Sequence, residues 1–352
     1  MSQDEQYAAF TGFLDLASEQ LGGEAVAVSD DFFAPKENLL KPGRGVFKPG
    51  KFTDRGKWMD GWESRRSRTP GHDWCIIRLG MAGVVRGVDI DTNHFLGNHP
   101  PYASVEGVAI DEQRGLDDIE ESDWTEVVPR SPLAPGSQNL FPAVCDETVT
   151  HLRLNIYPDG GVARFRVYGD VTPQLPDDPE QKVDIVALEN GGRAVACSDM
   201  FFSPMDNLIM PGRAENMGQG WESRRRRGPG YDWVILEAPK PGYIDDIEVD
   251  TNHFKGNYPD RCSIETCFAP GEDVDMLTWS NFEWEQVMDE QKLEAHTRHF
   301  FDDEVDADDP VTHVKLNIFP DGGVSRLRVN GRFTDKGSQP VEDVDDGPSA
   351  FA

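Results

Sequence analysis

Cysteine pairs, long apolar runs, basic charge and helical periodicity are what this 352-residue chain has least of. The five cysteines, at 75, 145, 197, 262 and 267, form no CxxC pair, so nothing in their spacing suggests a zinc ribbon or requires an oxidising compartment. Cys75 and Cys197 align with Val234 and Val28 of an internal repeat and read as buried apolar fillers. No run approaches 18 apolar residues, and the opening MSQDEQYAAF has neither a basic nor an apolar leader segment. The expectation is a soluble, cytoplasmic protein without a membrane partner. Basic residues number 34 against 64 acidic, a net charge of −30 that argues against nucleic acid and anionic membranes as partners. No serine-hydrolase elbow, phosphate-binding loop or dinucleotide fingerprint occurs. Helical signal is confined to 6–20 and 288–296.

What is present is a duplication. Ser29-Asp30-Asp31-Phe32-Phe33-Ala34-Pro35 returns as Ser198-Asp199-Met200-Phe201-Phe202-Ser203-Pro204. Gly61-Trp62-Glu63-Ser64-Arg65-Arg66 returns at 220–225, and thirty positions on (61 to 91, 220 to 250) Asp91-Thr92-Asn93-His94-Phe95 is matched at 250–254. Asn155-Ile156-Tyr157-Pro158-Asp159-Gly160-Gly161-Val162 reappears at 317–324 with Phe319 in place of Tyr157. Four blocks in one order mean two copies of one domain, without the short period of a solenoid. Length changes fall in loops: 47–60 has a shorter counterpart at 214–219.

Hydrophobic residues make up 38% of the chain, enough for sizeable cores, and 34 Gly with 25 Pro suit many turns between short elements. Strand-like alternation marks 151–157 and 162–168, joined by Pro158-Asp159-Gly160-Gly161 as an expected hairpin, with further short strands at 74–79, 84–90 and 104–110. The expected class is all-β, a tandem duplication of antiparallel sandwiches. The expected boundaries are an N-terminal extension, partly helical, over 1–24; a first repeat over 25–172; a linker and lead-in over 173–192; a second repeat over 193–335; and an acidic tail over 336–352.

Against the acidic background, Arg65, Arg66 and Arg224–Arg227 are basic islands that would steer an anionic small molecule. The Glu63-Ser64-Arg65-Arg66 segment is either a turn whose Trp62 packs on the sandwich and whose arginines pair with the acidic surface, or a site in which paired guanidiniums clamp a carboxylate and a Glu among them can stay ionised as a base. His94 and His253 are the single histidines of their motifs, without His-x-His or His-x-x-x-His spacing, so no metal site and no cofactor is expected. Each can instead pin its loop or carry protons. Arg164 and Arg166 share a strand face with Arg326 and Arg328 as counterparts, either decorating solvent or reaching the same cleft. The copies differ at His72 against Tyr231 and at His99 against Tyr258.

With these four blocks and Gly97-Asn98, the sequence resembles the allantoicase family, the allantoate amidinohydrolases, over both halves from about residue 20 to about 335. The resemblance implies two jelly-roll domains of the galactose-binding type, hydrolysis of allantoate to (S)-ureidoglycolate and urea in allantoin breakdown, and a homo-oligomer, trimer or hexamer. Allantoate carries two ureido groups and a carboxylate on one carbon. Its hydrolysis needs a cation for the carboxylate, polar groups for the ureido faces and a proton carrier. The expected pocket therefore unites Arg65, Arg66, Asp91 and Asn93 as substrate-binding residues with Glu63 and His94 as catalytic ones. Its counterpart unites Arg224, Arg225, Asp250 and Asn252 with Glu222 and His253. The competing reading is a non-catalytic carbohydrate- or small-ligand-binding sandwich.

Overall fold

The computed structural model describes residues 10–110, 119 and 122–336. The acidic tail from 337, the start of the 6–20 segment and most of the acidic run at 117–123 lie outside them. The chain divides into two units, 1–172 and 173–352. The first contains strands β1 (Glu24–Val28), β2 (Asp73–Asp91), β3 (Tyr102–Val108), β4 (Thr125–Pro132), β5 (Thr148–Tyr157) and β6 (Arg164–Val171), with shorter strands between them. All pair antiparallel.

The organising element is β2. The sequence suggests two strands here, at 74–79 and 84–90; the structure has one, 19 residues long. Its first part lies between β1 and β5, with Cys75 opposite both Val28 and Leu154. Its second part pairs with β6, Ile90 opposite Phe165 and Asp91 opposite Arg164. The ladder with β5 jumps from Arg78 opposite His151 to Gly83 opposite Val149, so 79–82 is where the strand turns over from one layer of the sandwich to the other. Both ends of β2 consequently lie at the same end of the sandwich. The Asp73 amide donates to the Pro158 carbonyl (3.1 Å), and the Ala163 amide donates to that of Asp91 (2.7 Å). Cys75, Ile77, Val88 and Ile90 from the two parts meet Val105, Leu152, Leu154, Phe165 and Val167 in one core. Period-2 alternation in each part selects that inward face.

The second unit repeats the plan with β7 (Arg193–Cys197), β8 (Asp232–Asp250), β9 (Arg261–Cys267), β10 (Glu285–Lys292), β11 (Val311–Phe319) and β12 (Arg326–Phe333). Its long strand turns over between Glu237, opposite His313, and Gly242, opposite Val311. Pro239 and Pro241 stand in that interval, where no ladder amide is required.

Three expectations are corrected. The segments either side of Pro158-Asp159-Gly160-Gly161 are not a hairpin. Pro158 has no N–H to give, Gly161–Val162 pairs instead with Trp62–Glu63, and β5 and β6 flank different parts of β2. The 288–296 segment falls largely in strand β10, which pairs with β9. Residues 10–21 hold two short 3-10 turns around a Leu14–Asp15 strand that joins β6, so this lead-in is part of the sheet. Val183–Asp184 joins β12 in the same way. Cys75 is fully buried as an apolar filler, whereas Cys197 is half-buried. Among the described residues no helix is long and apolar enough to cross a membrane.

Glycines set the closeness of the site-bearing loops. A Cβ on Gly161 would lie 2.0 Å from the Phe95 ring, and one on Gly61 would lie 2.8 Å from it. Phe95 is fully buried beneath both. Gly161→Ala is expected to destabilise the first unit by about 1–3 kcal/mol through overpacking. An unchanged midpoint in denaturant unfolding would contradict that packing.

Candidate active site

Three loops remote in sequence meet beside Glu63. Trp62 is fully buried and its indole N–H donates to the Asp30 carbonyl (2.8 Å), which fixes the chain just before the carboxylate. Glu63 then pairs with Gly161 and bridges to Ala34. The Ser64 amide donates to the Gly160 carbonyl (3.1 Å), and the Ser67 amide donates to Asp159 Oδ2 (2.9 Å). From the third loop, the Asn98 carbonyl accepts from the Gly161 amide (2.8 Å), while the Asn98 side-chain amide donates to Glu63 Oε1 (2.6 Å). Burial raises the proton affinity of Glu63, opposed by the Asn98 hydrogen bond and by the charge of Lys57.

The second copy rebuilds the junction. Asn257 donates to Glu222 Oε1 (2.5 Å) and its carbonyl accepts from the Gly323 amide (2.8 Å). The Arg226 amide donates to Asp321 Oδ2 (2.8 Å). Glu222, Arg225, Arg226, Asn257, Tyr258 and Asp321 are among the residues lining a cleft of about 620 Å³ here. Asn98, Asp159 and their counterparts read in the sequence only as loop and turn signals. Their retention in both copies was the available clue.

The expected pocket residues do not form one hydrogen-bonded group. Arg65 is tied to Asp30 through its amide and Nε (2.8 Å each), and Arg224 is tied to Asp199 likewise (2.7 and 3.2 Å). Arg66 and Arg225 are exposed and make no ion pair among the described residues. Asp91 is buried and grips Arg44 through two hydrogen bonds of 2.8 and 2.9 Å, while its Oδ1 also accepts from the Asn93 amide. Asn93 donates to the Gly45 carbonyl (2.8 Å), and the His94 ring lies 5.7 Å from that of Phe47. Asp91, Asn93 and His94 therefore face the 44–47 loop, and Glu63 faces Asn98. In the second copy Asp250 pairs with Arg213 (3.3 Å), and Asn252 and His253 both donate to the Ala214 carbonyl (3.2 and 2.9 Å). His94 and His253 adopt φ of 69° and 68°, a left-handed conformation in which these contacts hold the loops.

Arg164 and Arg166 resolve the same way. Arg164 pairs with Asp60 (2.9 Å) and donates to the Gly43 and Asp60 carbonyls, and Arg166 donates to those of Leu40 and Gly43. Arg326 and Arg328 fasten 207–212 in the second copy. Among the described residues no group of three or more His, Cys, Asp or Glu side chains is arranged to hold a metal ion.

The allantoicase repeat matches this chain twice, over residues 14–172 and 183–334. A probable allantoicase of Pseudomonas paraeruginosa is 51% identical over 93% of this chain and 98% of its own length. Probable allantoicase 1 of Burkholderia mallei is 50% identical over 91% of this chain and 94% of its own length. The crystal structure of allantoicase from Saccharomyces cerevisiae superposes with a TM-score of 0.77 at 35% identity, covering 94% of this chain and 98% of that one. A repeat found twice and relatives matched along nearly their whole length lead to one conclusion: the chain belongs to the allantoicase family.

Proposed function

We propose that the chain hydrolyses allantoate to (S)-ureidoglycolate and urea at the cleft lined by Glu222 and at the matching junction beside Glu63. The observation that carries this is a half-buried carboxylate held by an asparagine amide, followed three residues on by an exposed arginine without an ion-pair partner among the described residues, built twice. The relatives named probable allantoicase supply the reaction. Arg66 and Arg225 hold the substrate carboxylate, and Glu63 and Glu222 take the proton of the attacking water and pass it to the departing nitrogen. Arg65, Asp91, Asn93 and His94, with Arg224, Asp250, Asn252 and His253, fix the surrounding loops. Their contribution to substrate binding is through those loops. The test is urea release from allantoate by the purified full-length chain, one urea per allantoate consumed. Arg66→Ala with Arg225→Ala is expected to raise KM at least tenfold, because ground-state and transition-state binding weaken together. Absence of urea release by the folded wild-type chain rejects the reading.

A further inference from the structure

The residue after each site asparagine has no role so far. In the first copy it is His99. Its backbone packs on the Pro158-Asp159-Gly160-Gly161 turn, where a Cβ on Gly160 would come within 3.0 Å of the His99 carbonyl carbon. In the second copy it is Tyr258, whose backbone meets Gly322 at the same 3.0 Å and which lines the cleft with Glu222 and Asn257. The repeat therefore puts both residues at the same place in the loop, each directly after the asparagine that holds the site glutamate.

The two residue types share one capacity. His99 Nδ1 is buried and has no hydrogen-bond partner among the described residues. A neutral imidazole carries one N–H and one lone pair, and a buried unpaired N–H is the rarer and costlier orphan. That places the lone pair on Nδ1 and the proton on Nε2. Tyr258 carries a phenolic O–H that makes no hydrogen bond among the described residues. Divergence between the copies changed the ring and kept a donor.

We propose that His99 Nε2–H and Tyr258 O–H are catalytic hydrogen-bond donors to the carbonyl oxygen of the departing ureido group; this rests on the reading of the Glu63 and Glu222 sites given above. As the carbon–nitrogen bond breaks, its electron pair moves onto the ureido nitrogen and negative charge spreads to that oxygen. Water supplies oxygen to the central carbon. Its proton goes to the glutamate and then to the nitrogen, giving urea. If the bond breaks before water arrives, the glutamate instead passes the N–H proton of the remaining ureido group to the departing nitrogen. The water that then adds across the carbon–nitrogen double bond gives its hydroxyl to carbon and a proton back to the nitrogen of that double bond, so the sum is the same. The donors keep their protons and act only by stabilising charge that grows in the transition state.

The test uses the full-length chain with His99→Leu and Tyr258→Phe combined. Removing an oxyanion donor costs about 10²–10³ in kcat, so a fall of at least about 100-fold is expected with KM within a few-fold. His99→Gln with Tyr258→Phe restores an N–H in the first copy and is expected to recover at least tenfold of that loss. A double variant that keeps more than half the wild-type kcat overturns the proposal. So does a glutamine variant as inactive as the leucine one with both unfolding at lower temperature, since that marks a structural role. Glu63→Gln with Glu222→Gln separates the failures. If it keeps turnover, the cleft assignment is wrong; if it loses turnover while the donor variants do not, the donor assignment alone is wrong.

Discussion

Converting Glu63 and Glu222 together to glutamine is expected to lower the turnover of allantoate about 10²- to 10⁴-fold, the range for loss of a positioned proton-transfer group. Glutamine keeps the size of the side chain and its contact with Asn98 and Asn257, so KM is expected to stay within a few-fold. The pH profile carries independent information. A base works deprotonated, and burial holds the Glu63 carboxyl above its ordinary range while Asn98 pulls it back. Activity should therefore fall as pH drops through that raised value. Removing the Asn98 donor takes away a stabiliser of the anion, so the acid limb of kcat/KM moves to higher pH in Asn98→Ala. A double glutamine variant with wild-type turnover, or an acid limb that Asn98→Ala leaves in place or moves down, contradicts the assignment. Single variants divide the work between the copies: equal partners lose half the turnover each.

The largest stability effect is expected at Arg164. Its side chain is 4% exposed and that of its partner Asp60 is 9% exposed. The guanidinium also donates to the carbonyls of Gly43, Asp60 and Ala163. Arg164→Met would leave a carboxylate and several carbonyls without their cation in a half-closed site, which costs about 3–5 kcal/mol when a buried pair is broken. For a unit of this size that lowers the unfolding midpoint by roughly 10 °C. Asp60 gives the sign with pH. Burial pushes its carboxyl up, yet the Val46 amide and Arg164 bring it below the ordinary carboxylate range. A carboxyl depressed on folding adds stability above its unfolded pKa, and that stability is lost as pH falls through the folded value. The wild type should thus lose stability on acidification more steeply than Arg164→Met, both followed by thermal unfolding. A midpoint shift under about 2 °C at neutral pH would show that this pair does not hold the 43–60 loop.

Arg164 also illustrates where reading from residues alone stops. Alternation puts it on one face with Arg166, but solvent and cleft remain equal options until β6 is set against β2. Asp91 is similar. Its motif announces a polar loop, and only the 44–47 loop coming back over the strand end supplies Arg44. Among the arginines of Glu-Ser-Arg-Arg, chain order cannot say which is spoken for. Asp30 reaches Arg65 from another block and leaves Arg66 open.

The sequence by itself determined the duplication, the all-β class and the family. Each of these is written in local order: block spacing, period-2 alternation and retained side chains. Only the tertiary structure decided that 74–90 is one strand turned over between layers, that β5 and β6 are not a hairpin, and that Glu63 answers to Asn98 while Asp91 answers to Arg44. Those outcomes depend on which segment wins each backbone amide and which loop closes over each carboxylate. They are contests between residues tens of positions apart, and the sum of hydrogen bonds and burial settles them after the whole sandwich has closed.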